Sequence, residues 1–121
     1  MRAPGAVEPR RLARLPRREL DGGLLIVTAT DWRARLLGLA GLRRLPAGTG
    51  LELAVASIHT VGLRFGIDLI WRAVDGAVVR VDADVAPGRV RICSAARSVV
   101  EVNAGEADRF VDALTAAAPP D

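Results

Sequence analysis

Three turn dipeptides, Asp21-Gly22, Asp75-Gly76 and Pro87-Gly88, cut this chain into short apolar runs. An Asp-Gly pair favours the positive backbone angles of a tight hairpin turn, so the runs that flank it pair antiparallel. "RELDGGLLIVTAT" reads as a first hairpin, with Leu24 to Thr28 as its return strand. "IDLIWRAV" and "AVVRVDAD" read as a second, in which Val79 and Val81 alternate with Arg80 and Asp82, the pattern of a strand with one wet face. "LELAVASI", "RVRICSA" and "SVVEVNA" supply further strands.

Two segments carry helical spacing instead. After Thr30 or Asp31, either of which can cap a first turn, Trp32, Leu36 and Leu39 fall on one face. Gly41 is placed to end this helix and Pro46 prevents a long continuation, while Gly38 inside it marks a close backbone approach. After Gly105, the stripe Ala107, Phe110, Val111 and Leu114 predicts a final helix that stops before Pro119 and Pro120. The expected fold is therefore mainly β, a sandwich or partly closed barrel of short antiparallel strands with one early and one C-terminal helix. Without βαβ alternation, a dinucleotide fold is disfavoured.

The 121 residues make one domain, expected over 13–117, with a flexible arm at 1–12 and a disordered tail at 118–121. Half of them are hydrophobic, enough for a core, but aromatics are few, so the core is aliphatic and base-stacking platforms are poorly supplied. All 17 basic residues are arginines. Six lie in the first 20 residues against two acids, whereas the remaining 101 carry 11 arginines against 12 acids. The basicity thus belongs to the N-terminal arm, which reads as a solvated segment before it reads as a nucleic-acid contact. The single Cys93 excludes an internal disulfide and a multi-cysteine zinc site. No apolar stretch is long enough to span a membrane and no secretory leader opens the chain, so a cytoplasmic location is expected.

Three segments in order resemble the bacterial and archaeal family known as domain of unknown function 192. They are "RLLGLAGLRRLPAGTGL" from Arg35 to Leu51, "SIHTVGLRFGID" from Ser57 to Asp68, and "VVEVNAGEADR" from Val99 to Arg109. Together they span most of the chain, from Leu24 to Phe110. The resemblance implies a small, mainly β domain of the kind found in cytoplasmic versions, and brings no catalytic mechanism, cofactor or substrate with it. The chain departs from the family pattern at Gly66, where a proline is usual, at Leu63, where a methionine is usual, and at Val55, where a cysteine often stands. A function that needs that thiol is in doubt here.

The residues with chemistry are few. Asp68 stands in an apolar run between Ile67 and Leu69, where a bare carboxylate is costly. It is expected to accept N–H groups of the glycine-broken loop before it, or to pair with Arg64 or Arg97; otherwise it marks a pocket mouth. Arg64, four residues away, lies roughly 13 Å off on a straight strand and reaches it only if Phe65-Gly66 turns the chain. His59, the one histidine, has opposite parity to Asp68, which weakens an acid–base pair. No nucleophile elbow surrounds Ser57, and Cys93 reads as a small buried hydrophobe. Glu101, amid valines, is a second semi-buried carboxylate, expected to pair with Arg97 or Arg35 or else to line a common pocket with Asp68.

The candidate ligand-binding residues are therefore Thr60, Arg64, Asp68 and Glu101, with Asp68 and His59 as candidate catalytic groups and no metal or cofactor expected. Gly38, Gly41, Pro46, Gly62, Gly66, Asp75, Gly76 and Gly105 read as structural. The reading favoured is a non-enzymatic module that binds a small ligand or protein partner at the loop Thr60–Gly66 and the adjacent strand ends. The alternatives are a hydrolase-like enzyme using Asp68 or His59 with Arg64 as anion binder, and a nucleic-acid contact through the N-terminal arginines.

Overall fold

The computed structural model describes residues 10–30 and 44–117. A short helix α1 (Arg10–Ala13) leads into β1 (Arg17–Leu20), β2 (Leu24–Thr28), β3 (Thr49–Leu53), β4 (Ser57–His59), β5 (Ile67–Arg72), β6 (Val78–Val85), β7 (Val90–Ile92), β8 (Ser98–Asn103) and the helix α2 (Ala107–Ala117). Six strands form one sheet in the order β1-β2-β3-β8-β5-β6, and β4 pairs with β7 in a separate two-stranded sheet.

The hairpins follow the turn chemistry. β1 pairs antiparallel with β2 across Asp21 to Gly23, and β5 with β6 across Asp75-Gly76, where the Asp75 carboxylate accepts the Ala77 N–H at 3.0 Å. β2 and β3, by contrast, run parallel. The sheet is therefore mixed, and β1 and β6 end it as edges, so it is not a closed barrel. Parallel neighbours need a long crossover, commonly a helix. The connection from Ala29 to Gly48 supplies that length, although the early helix expected within it, with Gly38 and Gly41, lies outside the described residues.

The two faces of the sheet bury separate cores. On one, Leu51, Leu53, Ile67, Leu69, Trp71 and Val99 pack with Leu12, Leu15 and Leu45. On the other, Leu24, Ile26, Ile70, Val100 and Val102 meet Ala107, Phe110, Ala113 and Leu114 of α2, the helical stripe read from sequence. Leu12 lies inside the stretch read as a flexible arm, yet it is fully buried, and its carbonyl accepts a bond from Arg17 Nη2 at 2.8 Å. Core packing thus begins before residue 13; residues 1–9 and the tail at 118–121 lie outside the described residues.

β6 departs from the expected alternation. Val79 and Val81 are exposed, while Asp82 accepts the Trp71 indole N–H at 3.0 Å and the Arg80 guanidinium lies 5.6 Å from the Trp71 ring centre. The strand is an edge with two register shifts against β5, so its faces twist away from the pattern of a flat strand. In the Leu45–Gly50 loop, Asn103 binds both the N–H and the carbonyl of Leu45, at 2.9 and 2.8 Å, and Glu106 accepts the Gly48 N–H at 2.9 Å.

Gly50 is where this face is tightest. A Cβ there would sit 2.8 Å from Val100 Cγ1, 3.0 Å from Val102 Cγ1 and 3.3 Å from Phe110 Cε1. Gly50→Ala is expected to destabilise the protein by about 1–3 kcal/mol through overpacking, read as a lower denaturant midpoint. An unchanged midpoint would show that α2 can move off the sheet at no cost.

Candidate functional site

Asp68 is 3% exposed, and its carboxylate is engaged by three backbone N–H groups. Oδ1 accepts Asp84 N–H at 2.8 Å, and Oδ2 accepts Gly105 N–H at 2.9 Å and Ala107 N–H at 3.1 Å. The first donor comes from the bulge at which Ala83 and Asp84 together oppose Asp68, with Asp84 in the left-handed region at φ 50°. The other two belong to the turn and first residue of α2, where unpaired amides and the helix dipole favour an anion. The aspartate does accept backbone N–H groups, but from partners distant in sequence and not from the loop before it. Arg64 is exposed and forms no ion pair among the described residues, and Arg97 is exposed and bonds the Ala96 carbonyl at 3.1 Å.

The other candidates do not converge on Asp68. His59 is exposed on β4, opposite Val90, in the other sheet. Thr60 is fully buried; its Oγ1 donates to the Ala86 carbonyl at 2.8 Å and accepts Arg89 N–H at 2.7 Å, which fixes the Pro87-Gly88 turn. Glu101 sits opposite Leu51 and Leu69, whereas Asp68 sits opposite Val102, one step along β8. Successive residues of a strand face opposite sides, so the two carboxylates occupy the two separate cores and share no pocket. Burial pushes the Glu101 carboxyl up from 4.5 to about 7. Among the described residues no group of three or more His, Cys, Asp or Glu side chains is gathered as for a metal ion.

The segment after His59 does build a surface. Leu63 and Phe65 pack against the core beneath and anchor the Thr60–Gly66 loop, as Ile58 anchors β4. Ser57 pairs with Ile92 and His59 with Val90, so these four side chains share the outer face of the small sheet. Val90 is 62% and Ile92 64% exposed, and Val61 beside them is 60% exposed. Arg89, next to Val90 in the chain, and Arg64, in the Thr60–Gly66 loop, are both exposed. Val90 and Ile92 are the residues that sequence reasoning missed. Their alternation with Arg89 and Arg91 is visible, but it reads as apolar-inward until the inward position of Ile58 fixes the opposite face.

A family model described as Uncharacterized ACR, DUF192, matches residues 19–111. Two solved structures share the fold. One, from Sinorhizobium meliloti and described as a suggested transcription regulator, is 20% identical with a TM-score of 0.65, over 78% of this chain and 82% of its own. The other, from Novosphingobium aromaticivorans and described as a protein of unknown function, is 16% identical with a TM-score of 0.63, over 86% of this chain and 92% of its own. No curated protein matches the chain.

Asp68→Asn replaces one acceptor oxygen by an NH2 group that faces N–H donors. It is expected to cost about 2–4 kcal/mol of stability in a denaturant titration; a change within experimental error would show that the bulge and α2 are held by other contacts. For Glu101 the folded-state pKa is raised, so its contribution is fully present below about pH 4.5 and is lost as pH rises through about 7. The span corresponds to about 3 kcal/mol. Glu101→Gln should flatten the fall in stability between roughly pH 5 and pH 8, and parallel pH profiles for the two proteins would refute the assignment.

Proposed function

We propose that this chain, which belongs to the DUF192 family, is a non-enzymatic binding module whose outer β4–β7 face takes an acidic, apolar segment of a partner protein. The observation that carries the reading is that Val90 and Ile92 on the two-stranded sheet, and Val61 in the turn that follows β4, are each more than half exposed. Apolar side chains grouped on a surface lose contact with water when a partner covers them, and this gain is the driving force for association. The exposed arginines Arg64 and Arg89 add steering and select for carboxylates on the partner.

The chemistry of the candidate residues supports binding over turnover. Both Asp68 oxygens are taken by backbone N–H groups, and His59 stands on a different sheet. Among the described residues the acid, base and anion binder of the hydrolase-like alternative are therefore not brought together. Of the six N-terminal arginines, Arg2 lies outside the described residues, and no specific observation favours a nucleic-acid contact through the other five. The regulatory role named for the Sinorhizobium meliloti protein stays with that protein, since 20% identity carries the fold alone. Among the described residues no helix is long and apolar enough to cross a membrane.

Selection of displayed random peptides against the folded full chain tests the proposal. Enriched sequences should place apolar residues beside Asp or Glu, and the double variant Val90→Asp, Ile92→Asp should lose the enrichment with little change in melting temperature, because both positions are exposed. Enrichment of basic peptides, no enrichment at all, or enrichment that survives the double variant would overturn it.

A further inference from the structure

The sheet face under α2 changes character along the strands. Ile26, Ile70 and Val100 lie beneath the helix and are fully buried. Two residues further on each strand, and so on the same face, stand Thr28, Arg72 and Ser98. Glu52, two residues after Gly50 on β3, is on this face too; it pairs in register with Thr28 and with Val100, and so stands diagonal to the Arg72–Ser98 pair.

The row is tied together. Glu52 Oε2 accepts Arg72 Nη1 at 2.7 Å and Ser98 Oγ at 3.1 Å, and Arg72 Nε donates to the Gly76 carbonyl at 3.0 Å. The two charged side chains are only 13% and 17% exposed. Arg72 Nη2 and Glu52 Oε1 form no hydrogen bond among the described residues, so a fixed cation and a fixed anion each retain unused bonding capacity. Both residues line a groove of about 430 Å³ together with Arg97, Asp75, Ala29, Ala73 and Val74. That volume falls within the range of small-molecule sites.

We propose that this groove is a binding site for a small zwitterion of the α-amino-acid class with an apolar side chain. A carboxylate would be held by Arg97 and the free edge of the Arg72 guanidinium, through charge-assisted bonds. The ammonium group would donate to Glu52 Oε1 and the Asp75 carboxylate. The alanine and valine wall takes the side chain. The two charges of the ligand meet the two signs of charge in the groove, whereas a simple anion or a simple amine satisfies one and leaves the other unpaired. This site lies at the C-terminal end of β5, away from the Thr60–Gly66 loop that precedes its N-terminal end, so it stands apart from the protein-binding face proposed above.

Isothermal titration of the full chain with leucine, leucinamide and 4-methylpentanoate tests this. Leucine should bind saturably, and each analogue, lacking one charge, should bind roughly tenfold or more weakly. Arg97→Ala should lose leucine binding and keep the parent's melting temperature, because among the described residues its guanidinium bonds only the neighbouring Ala96 carbonyl. No saturable binding of leucine, equal binding of the three compounds, or leucine binding untouched by Arg97→Ala would each overturn the proposal.

Discussion

The Asp68 carboxylate ties the start of α2 to the β5–β6 bulge at one point. Its donors are Asp84 on the edge strand β6 and Gly105 and Ala107 at the start of α2. A bulge leaves an N–H out of the ladder and a helix start leaves several more, and each would be costly if buried without a partner. One buried anion satisfies donors of both kinds. The same contact sets where the helix begins and hence how it lies across Val100 and Val102. A Cβ at Gly66 would come within 2.8 Å of Asp84 Oδ1, the end of an exposed side chain at the same bulge.

The second constraint is strand parity. β8 lies between β3 and β5 and is covered on both faces, so each step along it exchanges one core for the other. Val100 and Val102 meet the helix, while Val99 and Glu101 meet the opposite core. Glu101 therefore sits among Leu51 and Leu69 with its charge disfavoured by burial. Asp68 has buried amide donors to hold it; Glu101, among the described residues, has none. Two carboxylates that look alike in sequence thus carry opposite electrostatic situations, one satisfied and one held toward its neutral form.

Much of this was legible in the sequence, and the division between what was and what was not follows contact range. The hairpins at Asp21 and Asp75 and the α2 stripe depend on neighbouring residues, and they were readable. That Asp68 would need hydrogen-bond donors followed from its apolar flanks alone. Which donors it finds did not, because they lie 16, 37 and 39 residues away. The parallel pairing of β2 with β3 was hidden for the same reason. A shared pocket for Asp68 and Glu101 required a register, and the actual register puts Asp68 against Val102. The exposed face of Val90 and Ile92 was hidden differently: period two identifies two faces but does not say which one is wet.

The polar group on the α2 face begins where the apolar patch of the sheet ends. α2 starts beside Asp68 on β5, and its Leu114 and Ala117 line a cavity with Leu20 of β1 and Arg72 of β5. Beyond Ile26, Ile70 and Val100, which the helix covers, Thr28, Glu52, Ser98 and Arg72 stand half-buried on the same face. Apolar side chains at these positions would leave a hydrophobic shelf partly open to water. Polar residues there would suffice for solubility, but an interlocked pair of opposite charges, held by a hydroxyl and a turn carbonyl and still only partly exposed, is more organised than solubility requires. That excess of order, at a concave end of the sheet with bonding capacity left over, is what separates a site from a solvated surface.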